Sequence, residues 1–235
     1  MLVAAAVCPC PPLLVPEVAA GAAPELDATR AACADALAVV AAARPELLLV
    51  VGPASADGRG PHRAGARGSF RGFGVPLDVR LGTGEPQDRP LPSSLAVGAW
   101  LLDRVRWSGA PVEGLGVDER LAPERALAVG REIAARAERV ALLVMGDGSA
   151  CRTLKAPGYL DERATAFDAL AARALGDADI AALAALDARL GVELKAAGRA
   201  PWQILAGAAE DVSLTGSLLH DDAPYGVGYL VAAWS

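Results

Sequence analysis

Long apolar runs are missing from this chain, although 53% of its 235 residues are hydrophobic. No stretch of about 18 uninterrupted apolar residues occurs, so no membrane partner or span is expected. Basic residues are missing from the start, and the first is Arg30. A secretory signal needs a cationic n-region, so neither export nor a lipid anchor at Cys8 is expected. From those two absences a cytoplasmic location is expected. Net positive charge is missing too: the balance is −6 and the pI about 5.0. A general nucleic-acid binder wants the opposite sign, so no nucleic-acid partner is expected.

Cysteine is sparse, with Cys8, Cys10, Cys33 and Cys151 as the full set. A cytoplasmic chain keeps such thiols reduced. Cys8-Pro9-Cys10 is C-x-C, not the C-x-x-C of redox proteins or zinc knuckles, and no second Cys/His pair with zinc spacing follows it. Histidine is scarcer still, with only His62 and His220. Gly146-Asp147-Gly148-Ser149 suits anion loops in general. It matches neither G-x-x-x-x-G-K-[ST] nor G-x-G-x-x-G, which argues against a nucleotide or phosphate site.

What is present alternates. Short apolar runs at Leu2 to Val7, Glu46 to Val51 and Arg139 to Met145 read as buried strands, with a shorter strand at Val112 to Leu115. Between them, Pro24 to Ala43, Ser94 to Trp107 and Pro123 to Ala137 read as helices. Helices are also expected over Asp161 to Leu175, Ile180 to Ala197 and Pro201 to Ala209, with closing strands at Ser213 to Leu219 and Gly228 to Ala233. Residues 54–74 read as a loop. Its arginines between Arg59 and Arg71, with His62 among them, leave two readings open: a mobile surface loop or a lid that contacts an anion. The pattern predicts an α/β fold: a single domain over residues 1–235 with a central, largely parallel sheet flanked by helices on both faces.

In open α/β sheets, ligands sit beyond the carboxyl ends of the strands. Three peptides fall there: Cys8-Pro9-Cys10-Pro11-Pro12, Gly52-Pro53-Ala54-Ser55 and Gly146-Asp147-Gly148-Ser149-Ala150. A fourth, His220 to Gly226, joins the last two strands.

In order, these peptides resemble the class III extradiol ring-cleavage dioxygenases, the superfamily of the protocatechuate 4,5-dioxygenase catalytic subunit and the Memo-type proteins. The family's His-Pro-Pro at the first strand end is matched by Cys10-Pro11-Pro12. Its Ser-Pro-His is matched by Gly52-Pro53-Ala54, and its Gly-Asp-x-Ser-His by Gly146-Asp147-Gly148-Ser149-Ala150. Its closing Glu-x-Pro-Phe-Gly-Val-Gly-Tyr is matched by Asp222-Ala223-Pro224-Tyr225-Gly226-Val227-Gly228-Tyr229. The likeness runs through nearly the whole chain, and the last peptide is its most specific part.

The resemblance implies Fe(II) held by two histidines and a carboxylate, with a further histidine as acid/base. This chain replaces the histidines with Cys10, Ala54 and Ala150, and keeps only Asp222 at the carboxylate position. The expectation is therefore a degenerate site, a pseudoenzyme without ring-cleaving activity and without a bound metal or other cofactor, which binds a small molecule or a partner in the former cleft. Cys10, Pro11, Ala54, Asp147, Ser149, Ala150, Asp222 and Tyr225 should line that cleft.

An alternative stays open: a repurposed or metal-dependent oxidoreductase using Cys10 and Asp222, for which zinc or copper would suit a thiolate–carboxylate pair better than iron. A nucleophilic Cys10 would need a base, with His220 or His62 as candidates and Lys155 as a further polar group. Members of the resembled family assemble as oligomers, so a homodimer is expected.

Overall fold

The computed structural model describes residues 1–235. The opening apolar run forms β1 (Leu2–Cys8), which ends where Pro9 removes a ladder donor. A 3-10 turn at Pro12–Leu14, the single-turn α1 (Pro16–Ala19) and a 3-10 segment at Ala20–Leu26 lead into α2 (Asp27–Ala42). The chain continues through β2 (Leu47–Pro53), β3 (Gly60–His62), β4 (Arg67–Ser69) and β5 (Asp78–Arg80) to α3 (Ser93–Arg104). Then come β6 (Val112–Val117), α4 (Pro123–Ala134) and β7 (Val140–Met145). Four helices follow: α5 (Ala164–Gly176), α6 (Ile180–Ala184), α7 (Ala188–Glu193) and α8 (Arg199–Ala208). The closing hairpin is β8 (Gly216–Asp222) and β9 (Tyr229–Trp234).

One seven-stranded sheet has the order β3-β6-β2-β7-β1-β9-β8, and β4 and β5 form a separate two-stranded ribbon. The four inner strands β6, β2, β7 and β1 run parallel. β3, β9 and β8 add antiparallel edges. All six residues of β7 are buried, as expected for a central parallel strand covered by helices. Alternate residues of β1 enter different clusters. Ala4, Ala6 and Cys8 pack with Leu37 of α2 and Leu95 of α3. Leu2, Ala5 and Val7 pack with Phe167 of α5 and Trp202 of α8. This division follows from the two-residue side-chain period of a strand.

Several boundaries depart from the sequence reading. The helix expected from Pro24 is 3-10 up to Leu26 and becomes α-helical at Asp27. The long helix expected over residues 180–197 breaks into α6 and α7, because Asp179 and Asp187 each cap a new start by accepting from the N–H three residues on. The expected loop over residues 54–74 holds β3 and β4. β8 reaches Asp222, so the final connection is shorter than expected.

Candidate functional site

The carboxyl ends of the parallel strands are stitched together by backbone bonds. Gly146 N–H donates to the Cys8 carbonyl at 2.9 Å, and Ala54 N–H donates to the Val117 carbonyl at 2.8 Å. At this edge the Cys10 N–H donates to Asp147 Oδ1 at 2.7 Å. The antiparallel register of β1 with β9 pairs Val7 with Ala232. Continued past the strand end, it sets Tyr229 opposite Cys10. Cys10 and Tyr229 belong to one packed cluster, with Tyr225 and Val227 against it.

Burial dominates the electrostatics here. Asp147 is pushed up to about 7 by desolvation and by the negative charge of Glu119, against the lowering effect of the Cys10 N–H. Burial, then Asp147 and Glu119, push the Cys10 thiol well above its usual range. Burial, then Asp147, push the Tyr229 phenol well up too. The cluster is thus a protonated thiol, a protonated phenol and a carboxyl that changes charge near neutral pH. It can donate and accept hydrogen bonds, but it presents no thiolate.

The other candidate residues have separate surroundings. Ser149 is fully buried, and both its N–H and its hydroxyl donate to Asp168 at 2.7 Å. Arg152 pairs with the same carboxylate at 3.1 Å. Ser149 therefore anchors the loop after β7. Ala150 donates its N–H to the Leu194 carbonyl and accepts from Gly158, so its place is set by the α7 end. Ala54 packs against Gly58 and Gly116. The Pro11 carbonyl accepts from Leu14 N–H and starts the 3-10 turn.

Asp222 is exposed, and its carboxylate accepts from the Ala223 N–H at 2.7 Å, closing its own turn. The Tyr225 hydroxyl donates to Glu25 at 2.8 Å, tying the β8–β9 connection to the segment before α2. Lys155 is exposed. Neither histidine serves Cys10: the His62 ring bonds the Gly58 carbonyl at 2.8 Å, and the His220 ring bonds Thr29 at 2.9 Å. No group of three or more His, Cys, Asp or Glu side chains is placed to hold a metal ion.

Sequence reasoning missed Tyr229 as a member of this cluster, and the exposed Glu119 as a charge that acts on it. Glu119 arrives through a long-range tie. The buried Arg199 guanidinium donates to the Leu121 carbonyl at 2.6 Å and to the Glu119 carbonyl, fixing the loop after β6. No local pattern around Glu119 signals this. Tyr229 could have been found by continuing the strand pairing of the closing hairpin. The paired glycines Gly146 and Gly198 also have a spatial reason. A Cβ on Gly146 would lie 2.4 Å from Gly198 Cα, so the loop after β7 touches the entry to α8 backbone to backbone.

No protein-family model matches the chain, and no curated protein matches it. Among solved structures, it is similar to the crystal structure of uncharacterized protein JW3007 from Escherichia coli K12, with a TM-score of 0.52, 15% sequence identity and 99% of each chain covered. Likeness at that identity speaks for the shared architecture and leaves function to the site.

Proposed function

We propose that this chain is a degenerate extradiol-dioxygenase-like protein that has lost ring cleavage and binds a small polar molecule at the carboxyl ends of β1 and β7. The observation that carries this reading is Cys10. It stands at the resembled family's first iron-ligand position, yet burial and two neighbouring carboxylates favour its protonated thiol. A neutral thiol is a poor metal ligand. The remaining positions also fit Fe(II) badly. Ala54 and Ala150 offer no donor atom, and Asp222 is engaged by its own turn. No iron-dependent step follows from such a set. What the residues can do is hydrogen-bond a neutral or weakly charged ligand through Asp147 and the phenol of Tyr229. A cytoplasmic location belongs to the same reading, since four free, buried thiols suit a reducing compartment.

The test is metal analysis of protein purified without chelator, with catechol turnover assayed after Fe(II) addition. The reading expects no stoichiometric iron and no ring-opened product. Iron at one equivalent together with ring-opened product would end it. Zinc or copper at one equivalent, lost in Cys10→Ser and Asp222→Asn, would instead favour the metal-dependent oxidoreductase.

A further inference from the structure

A cleft of about 410 Å³ runs along β6, with α4 as its other wall. None of Cys10, Asp147 and Tyr229 lines it. Its side chains follow the periods of the two walls. From β6 come Glu113, Leu115 and Val117, alternate residues on the face that Glu113 shares with its partner Leu49 of β2. From α4 come Arg125, Val129, Glu132 and Ile133, one stripe at helical spacing. Packing behind α4 holds the cleft open. A Cβ on Gly130 would lie 2.1 Å from the Ile204 carbonyl oxygen of α8, and one on Gly207 would lie 2.1 Å from the Leu127 carbonyl oxygen of α4. The two helices meet backbone to backbone, so α4 cannot settle onto β6 without giving up that contact. Apolar surface is left uncovered as a result. Leu49, Val117 and Ile133 are buried, but Leu115, Leu121 and Val129 are only half-buried.

We propose that this cleft binds a small uncharged, largely apolar molecule, one or two rings in size. Every charged side chain that lines it is matched by another in the same lining. Arg136 pairs with Glu113 at 2.9 Å and Arg59 pairs with Asp118 at 2.8 Å, at opposite ends of β6. Arg125 pairs with Glu132 at 2.7 Å along α4. A charged ligand would lose hydration there and find no free counter-ion. Over Gly114–Gly116, β6 has a ladder partner on each side, β2 and β3, so its backbone is engaged as well. What the walls offer a ligand is the surface of Leu115, Leu121, Val129 and Ile133, and its removal from water is the driving force. The volume lies at the small end of the range for ligand cavities, about 300–1,000 Å³, which limits the occupant to one or two rings.

The experiment is titration of the full chain with 2-naphthol, 2-naphthoate and 2-(aminomethyl)naphthalene at pH 7, which present one ring system as a neutral, an anionic and a cationic ligand. Methyl-labelled protein followed by NMR locates the site. The expected result is saturable binding of 2-naphthol that shifts the methyls of Leu115, Leu121, Val129 and Ile133. Both charged analogues should bind about ten-fold more weakly or worse. Val129→Trp fills the cleft from the helix side and should weaken 2-naphthol about ten-fold or more. Val192→Trp, on α7 and outside the cleft, should bind as the parent does. Glu113→Gln frees Arg136 and should tighten 2-naphthoate roughly two- to five-fold while leaving 2-naphthol unchanged. A Tm for each variant confirms folding, and the methyl map of the parent decides the site even if Val129→Trp fails to fold. Absence of saturable 2-naphthol binding up to about 1 mM would overturn the proposal. So would saturating shifts confined to other methyls, undiminished affinity in folded Val129→Trp, or 2-naphthoate binding as tightly as 2-naphthol in the parent. Shifts of the same four methyls with rising protein concentration alone would give the cleft to a second copy of the chain and overturn it too.

Discussion

The N–H of Cys10 donates to Asp147 Oδ1 at 2.7 Å, so one carboxyl group links the carboxyl ends of two neighbouring parallel strands. That carboxyl is pushed up to about 7, chiefly by burial. In the unfolded chain it titrates near 3.8. The native state therefore holds its proton longer, and Asp147 lowers stability as pH rises from about 4 to about 7. Above that range its contribution is level. Asp147→Asn keeps an acceptor for the Cys10 N–H and loses the titration. Chemical denaturation of both proteins across pH 4–8 should show the parent losing stability relative to the variant with rising pH, by up to roughly 4 kcal/mol. Parallel curves would remove Asp147 as the titrating group.

Thiol reactivity follows from the same cluster. Cys10 is 8% exposed, and Cys8, Cys33 and Cys151 are buried at 2% or less. Carboxylate charge and burial both suppress its thiolate. Native protein treated with iodoacetamide at pH 7.5 should label slowly everywhere, and first at Cys10. In Asp147→Asn, Cys10 should react several-fold faster, since a neighbouring negative charge is gone. Peptide mass spectrometry reads both outcomes, and faster labelling at Cys33 would contradict them.

Asp168 organises the loop after β7 by accepting from the Ser149 N–H and hydroxyl and pairing with Arg152. Asp168→Ala leaves a buried hydroxyl and N–H without partners and a guanidinium without its counter-ion. The expected loss is about 3 kcal/mol or more, measured by denaturant unfolding. Ser149→Ala keeps the backbone bond and should cost about 1–2 kcal/mol. A larger effect for Ser149→Ala than for Asp168→Ala would reverse this assignment.

The Gly146–Gly198 contact makes a further prediction. Gly146→Ala drives a Cβ to 2.4 Å from Gly198 Cα, and Gly198→Ala drives one to 2.3 Å from the Trp202 ring. Neither side of the first contact can rotate away, because both are backbone. Each substitution should cost about 2 kcal/mol or more by thermal or denaturant unfolding. Gly21→Ala, which meets nothing within 4 Å, is the control and should change little.

Much of the fold was legible because it is written in local periodicity. The short apolar runs at Leu2, Leu47 and Val140 have the length and bounds of buried strands, and the Ala- and Leu-rich stretches between them have the propensity of helices. The break between α6 and α7 was missed because Ala-rich sequence supports one helix, and only the Asp187 cap interrupts it. The small strands β3 to β5 were missed because three residues among arginines and glycines carry no period.

Within the candidate site, Cys10 and Asp147 were both legible from their positions at strand ends. Their contact, the removal of Ser149 into the core and the outward placement of Asp222 were not. These depend on which loops meet after crossover connections close, and hydrogen bonds such as Ser149–Asp168 join residues 19 positions apart in the chain. By itself the sequence determined the alternation of strands and helices, and it ruled out a histidine set, because composition and period are local properties. Tertiary structure alone decided that Tyr229 joins Cys10 and Asp147. Long-range pairing sets those distances, and burial, a property of the whole packed chain, sets the charge states that follow.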